Sequence, residues 1–300
     1  MNIADLVREI REDSVSGASQ LTIKAAAAFL KLLEKSASIK DVRRLVKALA
    51  DARPSMPSIA NMAHMIGSII EKEVLAGKPI EEAIENAVRK CIGEYQGSLR
   101  KAVQNASEIM RKCSSILTHS YSSTIAGALE SCREVKVYVT ESRPGYEGRR
   151  LAERLAARGH DVTLIVDAAA SYVIDQGLVD AVMLGCDAIL DDGSIANKIG
   201  SKMIALSAMD AGIPVNIVTD LWKAAIYGFS LEKHPGEEVY AGEVKLRCLN
   251  PYFEVLPPRL ISAYVTEKGA LRVEELIGEI ELMWGDVVAR KREKARPRSR

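Results

Sequence analysis

The hydrophobic period of this chain changes once, after Cys113, and that change limits what the chain can fold into. Up to about residue 112 the apolar positions recur at helical spacing only. Residues 15–33 read as a helix beginning around Gly17, Ala18 and Ser19, with a dense run of alanines before Phe29, Leu30, Leu32 and Leu33. Such a small-residue face suits close helix packing. Ser38 with Asp41 gives a capping-box-like start to a helix that ends near Arg53 and Pro54. The longest helix opens at Pro79, where a first-turn proline sacrifices no hydrogen bond and Glu81 and Glu82 favour the positive end of the dipole. Its apolar residues Ile80, Ile84, Val88, Cys91, Tyr95, Leu99, Val103, Ala106 and Met110 keep helical steps throughout, so it is expected to bridge into the second domain.

Beyond Cys113, short β-like runs at 114–119, 135–142, 161–169, 180–189, 215–221 and 253–257 alternate with helical stretches at about 121–132, 147–158, 168–176 and 197–211. This is the grammar of βαβ units and a mainly parallel sheet. The expected fold class is α/β: a helical N-terminal domain over residues 1–112, a Rossmann-like domain with a mainly parallel sheet over 113–288, and a basic disordered tail over 289–300. No GxGxxG follows any strand, which argues against a dinucleotide-dependent dehydrogenase. The likeness is one of topology, and no cofactor is implied.

Charge and cysteine content narrow the function classes. The formal charge of +1, from 41 basic and 40 acidic residues, gives the whole chain no electrostatic commitment to nucleic acid or membrane. Only residues 290–300 depart from this, and their basic character fits either a solubilising end or contact with RNA or an acidic partner. Five cysteines without CxxC or Cys/His ligand spacing indicate neither a disulfide framework nor a metal site. A reducing cytoplasm is the expected location, because the first residues are charged and no apolar run approaches the roughly 20 residues that span a bilayer.

The stretch most suited to chemistry is 179–212, which reads as a buried strand, a turn and a helix. Val182, Met183 and Leu184 form the apolar run, and Asp187 stands where the strand ends. Asn197 and Lys198 are expected at or near the start of the following helix, whose free N–H groups would favour an anion. In open α/β sheets ligands collect beyond the carboxyl ends of the strands, so a phosphate is the obvious guest. The competing reading makes Asp187 a cap and Lys198 a solvated surface residue, and position alone does not decide between them.

Other strand ends carry polar groups of the same kind. Thr118, His119, Ser120, Tyr121 and Ser122 come directly after Ile116 and Leu117 of the first run, where hydroxyls and N–H groups could hold a phosphate or simply cap the next helix. Arg143 follows the second run and Lys223 the fifth, each readable as an anion ligand or a rim ion pair. Arg53, at an element boundary in the helical half, could reach the same cleft.

Together these segments resemble a known family. The stretches GCDAI, DGSIANKIGSKMIALSA, TESRP, ILTHSYSS, RPSM and NPYFEVLPPRLISAYVTEKG are similar to the α/β/δ regulatory subunits of translation initiation factor 2B and their archaeal relatives. The same superfamily includes ribose-1,5-bisphosphate isomerase and methylthioribose-1-phosphate isomerase. The resemblance covers nearly all of residues 10–275 and implies a helical domain, a Rossmann-like domain and association into dimers or higher oligomers. It also implies a pocket for a phosphorylated sugar or nucleotide, with Gly17, Ala18, Ser19, Arg53, Ser122, Arg143, Asn197, Lys198 and Lys223 as ligand-binding positions.

Two departures bear on catalysis. The isomerases place a cysteine after the Thr-His pair, paired with the strand-end aspartate, and this chain has Ser120 there. A thiol can be tuned toward neutral pH, whereas a hydroxyl needs an activating base, and the sequence offers none. Where the isomerases have an arginine before Gly-Ala this chain has Ser16. The expectation is therefore a regulatory, initiation-factor-2B-like protein that keeps the pocket without isomerase turnover, with a translation initiation factor as a possible partner. The alternative is an aldose–ketose isomerase of a phosphorylated ribose with Asp187 and Ser120 as its catalytic pair.

Overall fold

A computed structural model describes residues 3–295 apart from 14, 15, 35, 133 and 233. Five helices come first: α1 (Ile3–Glu12), α2 (Ala18–Ala28), α3 (Ile39–Ala50), α4 (Pro57–Leu75) and α5 (Ile80–Met110). The expected capping box is present at α3, where Ser38 Oγ accepts from the Asp41 N–H and the Asp41 carboxylate accepts from the Ser38 N–H. The helix expected from residue 15 is α2 followed by a 3-10 turn at Phe29–Glu34; Val15 lies outside the described residues. Proline at the first position of α4 and Pro79 as the N-cap of α5 set where those two helices begin.

The remaining elements alternate. They are β1 (Ser115–His119), α6 (Ser123–Leu129), β2 (Lys136–Thr140), α7 (Glu147–Ala156), β3 (Val162–Ile165), α8 (Ala170–Asp175) and β4 (Ala181–Leu184). After them come β5 (Ala188–Ile189), β6 (Ile195–Lys198), α9 (Ser201–Asp210), β7 (Val215–Val218), β8 (Phe253–Leu256), β9 (Ala263–Thr266), β10 (Gly269–Leu271) and α10 (Val273–Ala295). The main sheet has the order β10-β9-β7-β4-β1-β2-β3, parallel throughout except for β10. Strands β1, β4 and β7 are wholly buried, which is why they read as unbroken apolar runs instead of alternating ones.

The strand order reverses between β1 and β4, because the chain winds outward to β2 and β3 and then returns to the other side of β1. Doubly wound sheets open a crevice at that switch, beyond the carboxyl ends of the two strands. Here those ends are His119 and Leu184, each followed by one of the polar segments picked out in the sequence.

Three features differ from the sequence expectation. Residues 195–198 form a strand and not the first turn of a helix; β6 pairs antiparallel with β5 and β8 in a separate three-stranded sheet. The run at 253–257, expected with the other strands, supplies β8 of that small sheet. Helix α10 runs to Ala295, so 289–295 continue a helix where a disordered tail was expected, and 296–300 lie outside the described residues. The Glu, Lys, Arg and Ala of that end are all good helix formers, so charge alone does not stop it.

The apolar core does not stop at the end of α5. One continuous cluster joins Leu21, Ile59 and Tyr95 of the helical half to Leu117, Val182, Trp222 and Trp284 of the α/β half. Trp222 sits at its centre, edge-on to Tyr95 at 5.5 Å and to Trp284 at 5.7 Å. Each such aromatic pair contributes about 0.5–1.5 kcal/mol beyond area burial.

Candidate functional site

The crevice at the switch is a cleft of about 120 Å³ into which separate stretches of chain from both halves project. Gly17, Ala18 and Ser19 at the start of α2 and Arg53 before α4 form one wall. Ser120 and Ser122 after β1, Asp187 after β4, Asn197 and Lys198 on β6, and Lys223 after β7 form the others. Of the residues picked out from sequence, Arg143 does not line it, and neither does Thr118, which is buried on β1. The Arg143 guanidinium donates to Tyr146 Oη at 2.5 Å and to the Val239 carbonyl at 3.1 Å, so those partners hold it to one side.

His119 ties the frame together. Its Nε2 lies 2.7 Å from the carbonyl of Ile199, which can only accept, so Nε2 carries the proton and Nδ1 accepts from Thr140 Oγ1 at 2.6 Å. Burial holds its pKa below the usual histidine value, which keeps the ring neutral. Gly200 packs against this ring, where a Cβ would come within 3.2 Å of Nε2, and it adopts φ +104°. A glycine is required there on both counts.

Ser120 follows with φ 66°, a left-handed conformation unusual for a non-glycine residue. Its N–H donates to Ser142 Oγ at 2.8 Å, and Ser142, also left-handed at φ 64°, is held by the Asp167 carboxylate at 2.7 Å. Backbone strain of this kind clusters at functional sites. Ser122 caps α6, its Oγ accepting from the Ile125 N–H at 3.3 Å.

Asp187 is half-buried, and among the described residues its carboxylate accepts no hydrogen bond. Its main-chain N–H donates to Ala196 at 2.8 Å, so the small sheet fixes where the acid stands. Burial raises its pKa, while Lys223, Lys198 and Arg53 oppose the rise and Glu232 adds to it. Cys186 beside it is no nucleophile: its thiol donates to the Ala188 carbonyl at 3.2 Å, and burial pushes its pKa up to about 12.

The cations are nearly buried and each has a partner. Lys223 Nζ donates to the Cys186 carbonyl at 2.6 Å, with Asp220 at 4.0 Å. Lys198 Nζ donates to Glu147 Oε1 at 2.8 Å and lies 3.4 Å from the centroid of the Tyr252 ring. Arg53 donates from Nε to Glu232 at 3.0 Å and from a terminal nitrogen to the Asp13 carbonyl at 2.9 Å. Asn197 donates to Ser201 Oγ at 2.9 Å. The anion-binding helix start expected beside Lys198 is already filled: Glu254 of β8 accepts from the N–H groups of Gly200 at 2.7 Å and Lys202 at 3.0 Å.

Sequence reasoning did not find Asp13, Glu147, Arg150, His234 or Tyr252, all of which line the cleft. Glu147 opens α7 and Tyr252 precedes β8, so each had a local signal as an element boundary. His234 had none, because only the return of a long connection brings it here.

This architecture is shared with known proteins. A model of the initiation factor 2 subunit family matches residues 14–273. The chain belongs to that family. It is 31% identical over 297 residues to the ribose 1,5-bisphosphate isomerase of Methanocaldococcus jannaschii, covering 90% of this chain and 93% of the relative. It is 28% identical to methylthioribose-1-phosphate isomerase 1 of Pseudothermotoga lettingae, covering 90% of this chain and 86% of the other. Among solved structures, the translation initiation factor eIF-2B of Pyrococcus horikoshii superposes with a TM-score of 0.77 at 25% identity, covering 90% and 96% of the two chains. The family thus contains both isomerases and initiation factors. Among the described residues no helix is long and apolar enough to cross a membrane.

Proposed function

We propose that this chain is an aldose–ketose isomerase of a phosphorylated ribose, reversing the preference that the sequence alone suggested. The observation that carries the reading is Asp187: an acid at the carboxyl end of β4, accepting no hydrogen bond among the described residues, with a pKa raised by burial and cations around it. The relatives named as isomerases, at 28–31% identity over nine-tenths of the chain, support it.

Converting ribose 1,5-bisphosphate to ribulose 1,5-bisphosphate opens the ring bond between C1 and the ring oxygen. The ring oxygen and C1 each gain a proton, while C2 and its hydroxyl each lose one. A carboxyl group whose pKa is raised is fitted to deliver the first of these protons and, once ionised, to take one back. Lys223 and Lys198 stabilise the ionised form. The substrate's phosphates would meet Arg53, Lys198 and the hydroxyls of Ser120 and Ser122.

A second reading, a regulatory protein of translation initiation that binds the sugar phosphate or a nucleotide and works as a homo-oligomer, is favoured by Ser120. The residue at that position is an alcohol, and among the described residues no side-chain base is hydrogen-bonded to it; its one bond runs from its main-chain N–H to Ser142 Oγ. One experiment separates the two: incubate wild type and Asp187→Asn with ribose 1,5-bisphosphate, and measure ketose formed and ligand bound. The isomerase reading expects turnover that falls by roughly 100-fold or more in the variant. Binding without turnover in wild type would replace it with the regulatory reading.

A further inference from the structure

Between Lys223 and β8 the chain covers a long stretch in which, among the described residues, the only helical or strand element is a single 3-10 turn, Gly236–Glu238. Connections of that length are uncommon in compact domains unless they are lids or binding loops. It passes the edge of the cleft as a strap, with His234 lining the cleft and Glu232 bound to Arg53. Its first residues stack the Tyr227 ring on His64 at 3.7 Å, and the Ser230 N–H donates to the Pro54 carbonyl at 3.3 Å. Further on, His234 stacks on Tyr252 at 3.7 Å, the same ring that Lys198 approaches, and Val239 accepts from Arg143.

Between these points Glu232 reaches inward. Its Oε1 accepts from Arg53 Nε at 3.0 Å and from Ser55 Oγ at 2.5 Å. Arg53 is only 10% exposed, and the cleft it lines holds about 120 Å³, against roughly 300 Å³ or more for small-molecule sites in general. The cleft as it stands is smaller than sites that enclose a small molecule. The arginine best placed to grip a ligand's phosphate is already neutralised by a carboxylate of the same chain.

We propose that Glu232 is an internal anion standing where the ligand's phosphate docks on Arg53, so that binding exchanges one for the other and frees the strap. The proposal rests on the reading that the cleft takes a phosphorylated sugar. The exchange is reversible and involves no covalent step: the Arg53 contact passes from carboxylate to phosphate oxygen, and the carboxylate leaves Ser55 and returns to water. Charge-assisted contacts of an arginine with phosphate are strong, while a carboxylate left beside the incoming phosphate would repel it. Glu232 thereby sets the affinity of the site.

The test uses the full chain as wild type, Glu232→Gln and Ser55→Ala, with ribose 1,5-bisphosphate as the probe in calorimetry. Hydrogen–deuterium exchange over residues 226–251 is read on the same samples. Glu232→Gln is expected to bind about tenfold more tightly or better, Ser55→Ala to shift the same way by less, and ligand to speed exchange in the strap of wild type. Unchanged or weaker binding by a folded Glu232→Gln would overturn the proposal and leave the sugar-phosphate reading standing. Should that variant not fold, unchanged or weaker binding by Ser55→Ala decides in the same sense. Failure of wild type and both folded variants to bind the bisphosphate would overturn the sugar-phosphate reading itself, and this proposal with it.

Discussion

Asn61, buried on α4, donates its side-chain amide to the main-chain carbonyl of Trp222 at 2.6 Å, and the same nitrogen reaches Ala224 at 2.8 Å. The residue between those two carbonyls is Lys223, so the helical half of the chain holds the turn that presents a cation to the cleft.

Replacing Asn61 with leucine would leave both carbonyls without this donor in a dry environment. The Ala224 carbonyl keeps the Ile226 N–H at 2.8 Å, so one group is left unsatisfied and a loss of about 1–3 kcal/mol is expected. Urea unfolding measures it. Ligand affinity should fall as well, because Lys223 loses its fixed position, and full affinity in a destabilised Asn61→Leu would show that the turn needs no support from α4.

Ser120→Cys is expected to raise turnover of ribose 1,5-bisphosphate by about tenfold or more, since a thiolate forms far more readily than an alkoxide. The left-handed backbone at φ 66° costs serine and cysteine about the same, so the swap leaves the frame intact. Equal rates in the two proteins would mean that this side chain takes no part in proton transfer.

Glu267 gives the fold a dependence on pH. Burial, then the neighbouring Asp220, raises its pKa from 4.5 to about 7, while the Leu221 N–H pulls the other way. The folded form therefore holds a proton that the unfolded chain has already lost between those two values. Stability is highest below about pH 4.5 as far as this group is concerned, falls as pH rises toward 7, and is flat above. The fall is on the order of 3 kcal/mol at about 1.36 kcal/mol per pKa unit. Glu267→Gln should be more stable than wild type at pH 8, with the advantage shrinking by pH 5, as read by denaturant titration at both.

Gly148→Ala tests how closely α7 seats on the sheet. A Cβ there would fall 1.8 Å from the Thr140 carbonyl oxygen and 2.8 Å from Ser142 Oγ, so the helix must back away from β2. Overpacking of this kind costs about 1–3 kcal/mol. Moving α7 also carries Glu147 away from Lys198, so the variant should lose thermal stability and ligand affinity together. An unchanged melting temperature would show that α7 has room to shift.

Much of this was legible in the chain itself. The six apolar runs mark strands because each buried segment is short and bounded by polar or turn residues, and the Ser38–Asp41 box marks a helix start by its own hydrogen bonds. Asn197 and Lys198 were read correctly as lying near Asp187 but wrongly as helical. Their strand exists only because Phe253–Leu256 returns to pair with it, and a partner more than fifty residues away leaves no local period. Arg143 was misplaced for a similar reason, since the Val239 carbonyl that claims it arrives from the strap. Glu147 shows only as the first residue of a helix and Glu232 not at all, because an acid paired with a distant cation looks in sequence like any surface acid.

His119 commits both ring nitrogens to fixed partners, one on β2 and one just past β6, and burial discourages a second proton on the ring. It works as a neutral spacer of set length between three strand ends. The spacing it sets between those ends does not depend on the charge of Asp187, whose pKa burial raises while Lys223, Lys198 and Arg53 oppose the rise. Shape and charge in this cleft are thereby governed by different residues, and one can be altered without disturbing the other.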